Sequence, residues 1–196
     1  MMKTSTPASP LSTIRSLEDW MQNPPKGKEW VNGQLVDKHP LRWINGQLSD
    51  ENGMTLKHSR IQGNLYFYWR CYKDSSGQAG EVYTEVPCRT CKQGRSPDVA
   101  YLTPDLVTQY GDAKTLPQSF PLCAEIVSPT DLAEEVIAKA QEYLQSGSQE
   151  VWLVFPDAGW IIVVTEQFKL VFAAGEIVRT QVVLPGFSIA ADELLA

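Results

Sequence analysis

Two carboxylates stand inside apolar stretches of this chain, and any fold it adopts must accommodate both. One follows a proline in Arg95-Ser96-Pro97-Asp98-Val99-Ala100-Tyr101-Leu102. The other interrupts Pro121-Leu122-Cys123-Ala124-Glu125-Ile126-Val127-Ser128-Pro129. Both runs otherwise read as buried strands. A carboxylate in such a place is costly unless a cation or hydrogen-bond donors hold it. The strand-like pattern predicts that Asp98 and Glu125 meet at neighbouring positions of one sheet, joined by a crossover helix. Ser128-Pro129-Thr130-Asp131 then opens another helix, with Thr130 or Asp131 as its cap, and Lys139 falls on its second turn. Two carboxylates with backbone carbonyls and water suit Mg²⁺ or Mn²⁺. Such an ion polarises a phosphodiester and lowers the pKa of its bound water. A lysine reaching over the strand end would orient that water or stabilise charge on the phosphate.

The rest of the pattern is α/β. Ser12 to Gln22 predicts a short helix with Ser16 as cap. Trp30-Val31-Asn32-Gly33-Gln34-Leu35-Val36-Asp37 is echoed by Trp43-Ile44-Asn45-Gly46-Gln47-Leu48-Ser49-Asp50. Each copy holds an Asn-Gly pair between apolar residues, which predicts antiparallel strands with tight turns. Thr55 to Tyr72 predicts a long helix with Leu56, Ile61, Leu65, Tyr68, Trp69 and Tyr72 on its apolar stripe. A polar loop from Asp74 to Gly80 follows. Strands are expected at Glu81–Pro87, Val99–Leu102, Leu122–Val127 and Val151–Phe155, and later at Trp160–Thr165, Lys169–Ala173 and Glu176–Val183. A basic connection spans Cys88–Ser96, and a short terminal helix Ala191–Leu195. The expected architecture is a mixed β-sheet flanked by helices, with antiparallel hairpins at the N- and C-terminal ends. Residues 1–12 read as a disordered leader and 13–196 as a single domain.

Composition narrows the function classes. No apolar run approaches the ~20 residues of a membrane helix, and the Ser/Thr/Pro-rich start does not read as a secretory signal. Cys88 and Cys91 form a CxxC without a second half, so Cys71, Cys88, Cys91 and Cys123 read as thiols of a cytoplasmic protein. The net charge of −6 disfavours a protein that coats duplex DNA. Charge is uneven, however. From Thr55 to Pro97 seven basic residues face three acidic ones, a net of +4; from Asp98 onward four basic face fourteen acidic, a net of −10. This is compatible with a local phosphate-binding surface and equally with a solvated mixed surface.

With these residues in view, the chain resembles the PD-(D/E)XK nuclease superfamily, within its restriction-endonuclease-like bacterial (Uma-type) group. Glu29-Trp30-Val31-Asn32-Gly33-Gln34-Leu35 is similar to that group's opening "E-x-x-x-G-x-L" strand, and His58 to Ile61 to its "H-x-x-I" helix start. Arg95-Ser96-Pro97-Asp98 matches "R-x-P-D", and Ala124-Glu125-Ile126-Val127-Ser128-Pro129 matches "V-E-V-x-S-P". Lys139, Tyr143 and Gly147 follow "K-x-x-x-Y-x-x-x-G". Val151 to Pro156 matches the next strand, and Leu184-Pro185-Gly186-Phe187 the closing segment. There are departures. Val127 stands where the superfamily's lysine usually sits, and the resemblance implies that Lys139 has taken that role. Phe155 stands where the group often has Asp. The second Trp-Ile-Asn-Gly segment resembles an insertion.

The resemblance implies a restriction-endonuclease-like core and a Mg²⁺- or Mn²⁺-dependent endonuclease acting on nucleic acid, expected to be DNA. Products would carry a 5′-phosphate and a 3′-hydroxyl. Asp98 and Glu125 would hold the metal and Lys139 would serve the reacting phosphate. Glu29 would assist the metal through water, and His58 would act as a substrate contact or general base. Each has a structural alternative: a turn residue for Asp98, a solvated helix residue for Lys139, a surface charge for Glu29, a structural hydrogen bonder for His58. Tyr143 reads as a packing residue whose hydroxyl touches the site. Two further readings stand beside the nuclease. One is a non-catalytic nucleic-acid or protein interaction module on the same fold, which the acidity favours. The other is a structural partner in an assembly that uses the hairpins as a homodimer surface.

Overall fold

The computed structural model describes residues 14–39, 43–44, 47–48 and 55–196. The leader expected at 1–12 and the Asn45-Gly46 turn lie outside them.

The N-terminal part builds a small layer of its own. Helix α1 (Leu17–Gln22) is capped by Ser16, whose hydroxyl accepts the Asp19 N–H. Strands β1 (Lys28–Val31) and β2 (Gln34–Asp37) form the hairpin announced by the first Asn-Gly pair. Asn32 and Gly33 have φ of 51° and 78°, as a type I′ turn requires. The second copy gives a separate antiparallel pair, β3 (Trp43–Ile44) and β4 (Gln47–Leu48).

Helix α2 (Leu56–Ser76) starts at the Thr55 cap and ends at Gly77, φ 72°. It runs through the first three residues of the expected polar loop. Its buried line is His58, Ile61, Leu65, Trp69 and Lys73, one residue per turn. Leu56 lies outside that line and is solvent-exposed, although His58 of the same turn is buried.

Strand β5 (Glu81–Thr84) is followed by β6 (Cys88–Arg89) and β7 (Gly94–Arg95), which form a hairpin within the basic connection expected at Cys88–Ser96. That hairpin joins β1 through Trp30↔Gly94, giving a four-stranded sheet in the order β2-β1-β7-β6. Strand β8 (Val99–Leu102), helix α3 (Pro104–Tyr110), strand β9 (Leu122–Ile126), helix α4 (Ala133–Leu144) and strand β10 (Glu150–Phe155) follow. Then come β11 (Trp160–Thr165), β12 (Lys169–Phe172), β13 (Ile177–Arg179), β14 (Ser188–Ala190) and helix α5 (Ala191–Leu195).

The main sheet has the order β12-β11-β10-β9-β8-β5. Only β9 and β10 are parallel, linked over one face by α4. Strands β8 and β9 run antiparallel, so the connection through α3 is not the parallel crossover expected from sequence. They are neighbours all the same.

Alternation along β9 sorts the two faces. Leu122, Ala124 and Ile126 pack with Trp152 and Val154 toward Ile61, Leu65 and Trp69 of α2. Cys123 lies with Val151 and Leu153 toward Val136, Ala140 and Tyr143 of α4. Glu125 shares the α4 side by the same parity. A third cluster, Leu17, Trp20 and Trp30, binds α1 to the small sheet.

Gly94 is where that small layer closes most tightly. A Cβ there would fall on the indole of Trp20, which is wholly buried. Gly94→Ala should therefore cost about 1–3 kcal/mol through overpacking, measured by urea unfolding. A change within about 0.5 kcal/mol, typical of an exposed site, would contradict this packing.

Candidate functional site

The two carboxylates that open the sequence problem come together at the ends of β8 and β9. The register Val99↔Ala124 and Ala100↔Cys123 continues to set Asp98 opposite Glu125 and Pro97 opposite Ile126. Proline has no N–H to extend the ladder, and Pro97 O accepts the Glu85 N–H instead. The Ile126 N–H turns to the Asp98 side chain, donating to Oδ2 at 2.7 Å. Asp98 is thus held by backbone on one side of its carboxylate.

Its other oxygen is held by a residue that the sequence did not single out. Lys38, just after β2, brings Nζ within 2.7 Å of Asp98 Oδ1 and 2.8 Å of Glu85 Oε2. His58, in the first turn of α2, places Nε2 3.3 Å from Asp98 Oδ2, an ion-pair distance outside hydrogen-bond geometry. Burial would raise the pKa of Asp98, but the Lys38 charge and then His58 outweigh it and hold the carboxyl far below its ordinary range. Lys38 shows the converse. Burial disfavours its charge, yet Asp98, Glu125 and Glu85 keep it protonated well beyond the usual lysine range.

Glu125 is held by α4. Tyr143 donates its hydroxyl to Oε1 at 2.6 Å, and Lys139 donates to Oε2 at 3.0 Å. The same ammonium lies 3.5 Å from Glu29 Oε1. Glu29, buried on β1, also accepts the Ser96 N–H at 3.0 Å and Arg95 Nη1 at 2.9 Å. Arg95 in turn forks onto Glu142 of α4. Burial pushes Glu125 up, and the nearby Asp98 and Glu29 charges add to this against Lys139 and Lys38. For Glu29 burial pushes the same way, but Lys139, Arg95 and Lys38 win and its pKa falls. Lys139 is raised, because Glu125 and Glu29 overcome the cost of its burial.

Glu29, Lys38, Arg95, Asp98, Glu125 and Lys139 all line one cleft of about 530 Å³. His58 stands behind Asp98, outside that lining. In all, the cleft lining carries seven carboxylates against Lys38, Arg95 and Lys139. The structure thus gathers four of the five sequence-predicted residues around one space and sets His58 against one of them. Missed in the sequence were Lys38, Glu85 and Glu142. Arg95 was visible only as part of a motif. The helix cap was misread: Leu132 is the N-cap of α4, and Asp131 instead accepts the Ser128 N–H. Of the seven basic residues in the Thr55–Pro97 stretch, Lys57, Arg70, Lys73, Arg89 and Arg95 pair with carboxylates, and Arg60 and Lys92 are exposed.

The model of the family described as "Uma2: Putative restriction endonuclease" matches residues 34–192. The chain belongs to the Uma2 family. The match includes His58, Asp98, Glu125 and Lys139 and begins after Glu29. Restriction-endonuclease-like families generally use divalent metal ions. No curated protein matches the chain. A crystal structure described as "a putative nuclease belonging to DUF820" from Anabaena variabilis ATCC 29413 is similar with a TM-score of 0.73. It shares 17% identity, and the alignment covers 92% of this chain and 97% of that one. The Uma2 chain therefore has a nuclease-like fold. No helix among its described residues is long and apolar enough to cross a membrane.

The donor set of this Uma2 cleft fits a hard divalent ion. Asp98 and Glu125 offer carboxylate oxygens at the same strand ends, and Asp98 already holds a cation, the Lys38 ammonium, on Oδ1. Among the described residues, His39, Glu85 and Asp98 also offer ligand atoms within 4.8 Å of one another. That set shares only Asp98 with the sequence-predicted pair.

His58 supplies a pH test. Burial lowers its pKa, but Asp98 raises it more, and the net shift is upward from 6.5. A raised histidine pKa stabilises the fold fully below 6.5, and that contribution is lost as pH rises through the elevated folded value. His58→Gln should therefore flatten the decline of Tm on the alkaline side of 6.5, read from thermal melts across pH. An unchanged profile would show that His58 carries no such charge.

Proposed function

We propose that this Uma2 protein is a metal-dependent endonuclease that hydrolyses phosphodiester bonds of DNA. The observation that supports it best is the meeting of Asp98 and Glu125 across β8 and β9, at a cleft that also holds Lys139. In this reading the two carboxylates bind Mg²⁺ or Mn²⁺. A bound ion would supply Lewis-acid polarisation of the phosphate and a water of lowered pKa.

The residues of the chain do the rest. Lys139 is fixed between Glu125 and Glu29, where an ammonium can orient the attacking water and meet charge developing on the phosphoryl oxygens. Glu29 and Tyr143 hold that lysine–carboxylate pair in place. Water adds to phosphorus, the bond to the 3′ oxygen breaks, and a proton passes to the leaving oxygen. The products are a 5′-phosphate and a 3′-hydroxyl. The excess of carboxylates in the cleft would repel DNA without an added cation, which is a further reason to expect a divalent ion.

Overall acidity, with pI near 5.0, favours a different class of activity, an interaction module that keeps the fold without cutting. Plasmid and single-stranded DNA with Mn²⁺ distinguish the two. The nuclease reading expects cleavage by the purified protein, loss of cleavage in Glu125→Ala, and a fall of about a hundred- to ten-thousand-fold in Lys139→Met. Equal residual cleavage in wild type and Glu125→Ala would identify a contaminant and sink the enzyme reading.

A further inference from the structure

We infer that Lys38 is a built-in counter-cation that occupies Asp98 until a divalent ion displaces its ammonium, so that this lysine sets how tightly the centre takes metal. The inference rests on the reading of Asp98 as a metal ligand, and it concerns a residue that lies 60 positions from Asp98 in sequence.

Lys38 has a side chain only 2% exposed, and Asp98 is 1% exposed. Its Nζ satisfies Asp98 Oδ1 at 2.7 Å. A divalent ion would need that same carboxylate at about 2.0–2.6 Å. Two cations on one buried carboxylate repel strongly where water is scarce, so binding one means moving the other.

The surroundings provide somewhere to move. Lys38 lines both the 530 Å³ cleft and a neighbouring one of about 1060 Å³, whose wall includes Glu85 and Gln62. An ammonium released from Asp98 keeps Glu85 as its acceptor, already 2.8 Å away. Glu85 is a fixed feature. Its φ of 58° is left-handed for a residue with a side chain, a conformation that persists only when neighbours impose it. Pro97 O takes its N–H at 3.2 Å, and Gln62 donates to its Oε1 at 3.0 Å. Gln62 also donates to Asp98 O at 2.9 Å, tying the two acids to one side chain.

Removing one partner of a buried ion pair leaves the other charge uncompensated. In Lys38→Met that charge is Asp98, and a divalent ion restores its balance. Calorimetric titration with Mn²⁺, paired with thermal melts with and without Mn²⁺, tests this on wild type, Lys38→Met and Lys38→Arg. Lys38→Met should bind Mn²⁺ about tenfold or more tightly than wild type and gain a larger Tm increase from the ion. Lys38→Arg keeps the charge and should bind no more tightly than wild type. Equal affinity in wild type and Lys38→Met overturns the inference while leaving the metal reading intact. Absence of Mn²⁺ binding in all three overturns the metal reading and the inference with it. If Lys38→Met unfolds without metal, recovery of the fold in Mn²⁺ supports the inference, and unfolding in both conditions overturns it.

Discussion

Asp98 stands where β8 would next pair with β9, and its side chain makes the bond that the ladder cannot. Pro97 interrupts the strand, the Ile126 N–H needs an acceptor, and the Asp98 carboxylate supplies one at 2.7 Å. The rest of the site follows from having a negative charge at that depth. It draws Lys38 inward from the end of the β1–β2 hairpin and His58 from the start of α2, binding the small sheet and the long helix to the main sheet at one point. Glu125, one strand over, does the same with α4 through Lys139 and Tyr143. Losing one member of such a buried pair typically costs about 3–5 kcal/mol, so these ion pairs join layers as well as hold a site.

Much of this was legible from sequence because it was local. The Asn-Gly pair gave the β1–β2 turn, the Val99–Leu102 and Leu122–Val127 runs gave the two strands with their acids, and four-residue spacing placed Lys139 and Tyr143 on one face of α4. What escaped depends on chain distance. Nothing about Lys38 in Val36-Asp37-Lys38-His39 marks it as a buried ion-pair partner. Leu56 looked like a core residue because it is apolar at the start of a periodic helix, yet it faces solvent while His58 is the residue of that turn that points inward. Asp131 looked like a cap because cap chemistry is local, yet it closes the preceding turn.

Glu150 is the instructive contrast. It too is a wholly buried acid beside an apolar run, and burial alone would make it a candidate. Its carboxylate is satisfied by the Trp152 indole at 2.7 Å and by the N–H groups of Gln181, Val182 and Val183. It anchors a loop with neutral donors. Asp98 and Glu125 are instead balanced by the ammonium groups of Lys38 and Lys139 at the wall of a cleft, the kind of partner that another cation would have to displace. The nature of the partner, rather than depth, separates a structural acid from a candidate ligand.

The central claim is that Asp98 and Glu125 share a divalent ion in exchange for Lys38. Anomalous diffraction from crystals grown in Mn²⁺ tests it most directly. A Mn²⁺ peak bounded by both carboxylates is expected, with the Lys38 ammonium moved off Asp98 toward Glu85. A peak elsewhere, or Lys38 still seated on Asp98 beside a bound ion, would contradict it.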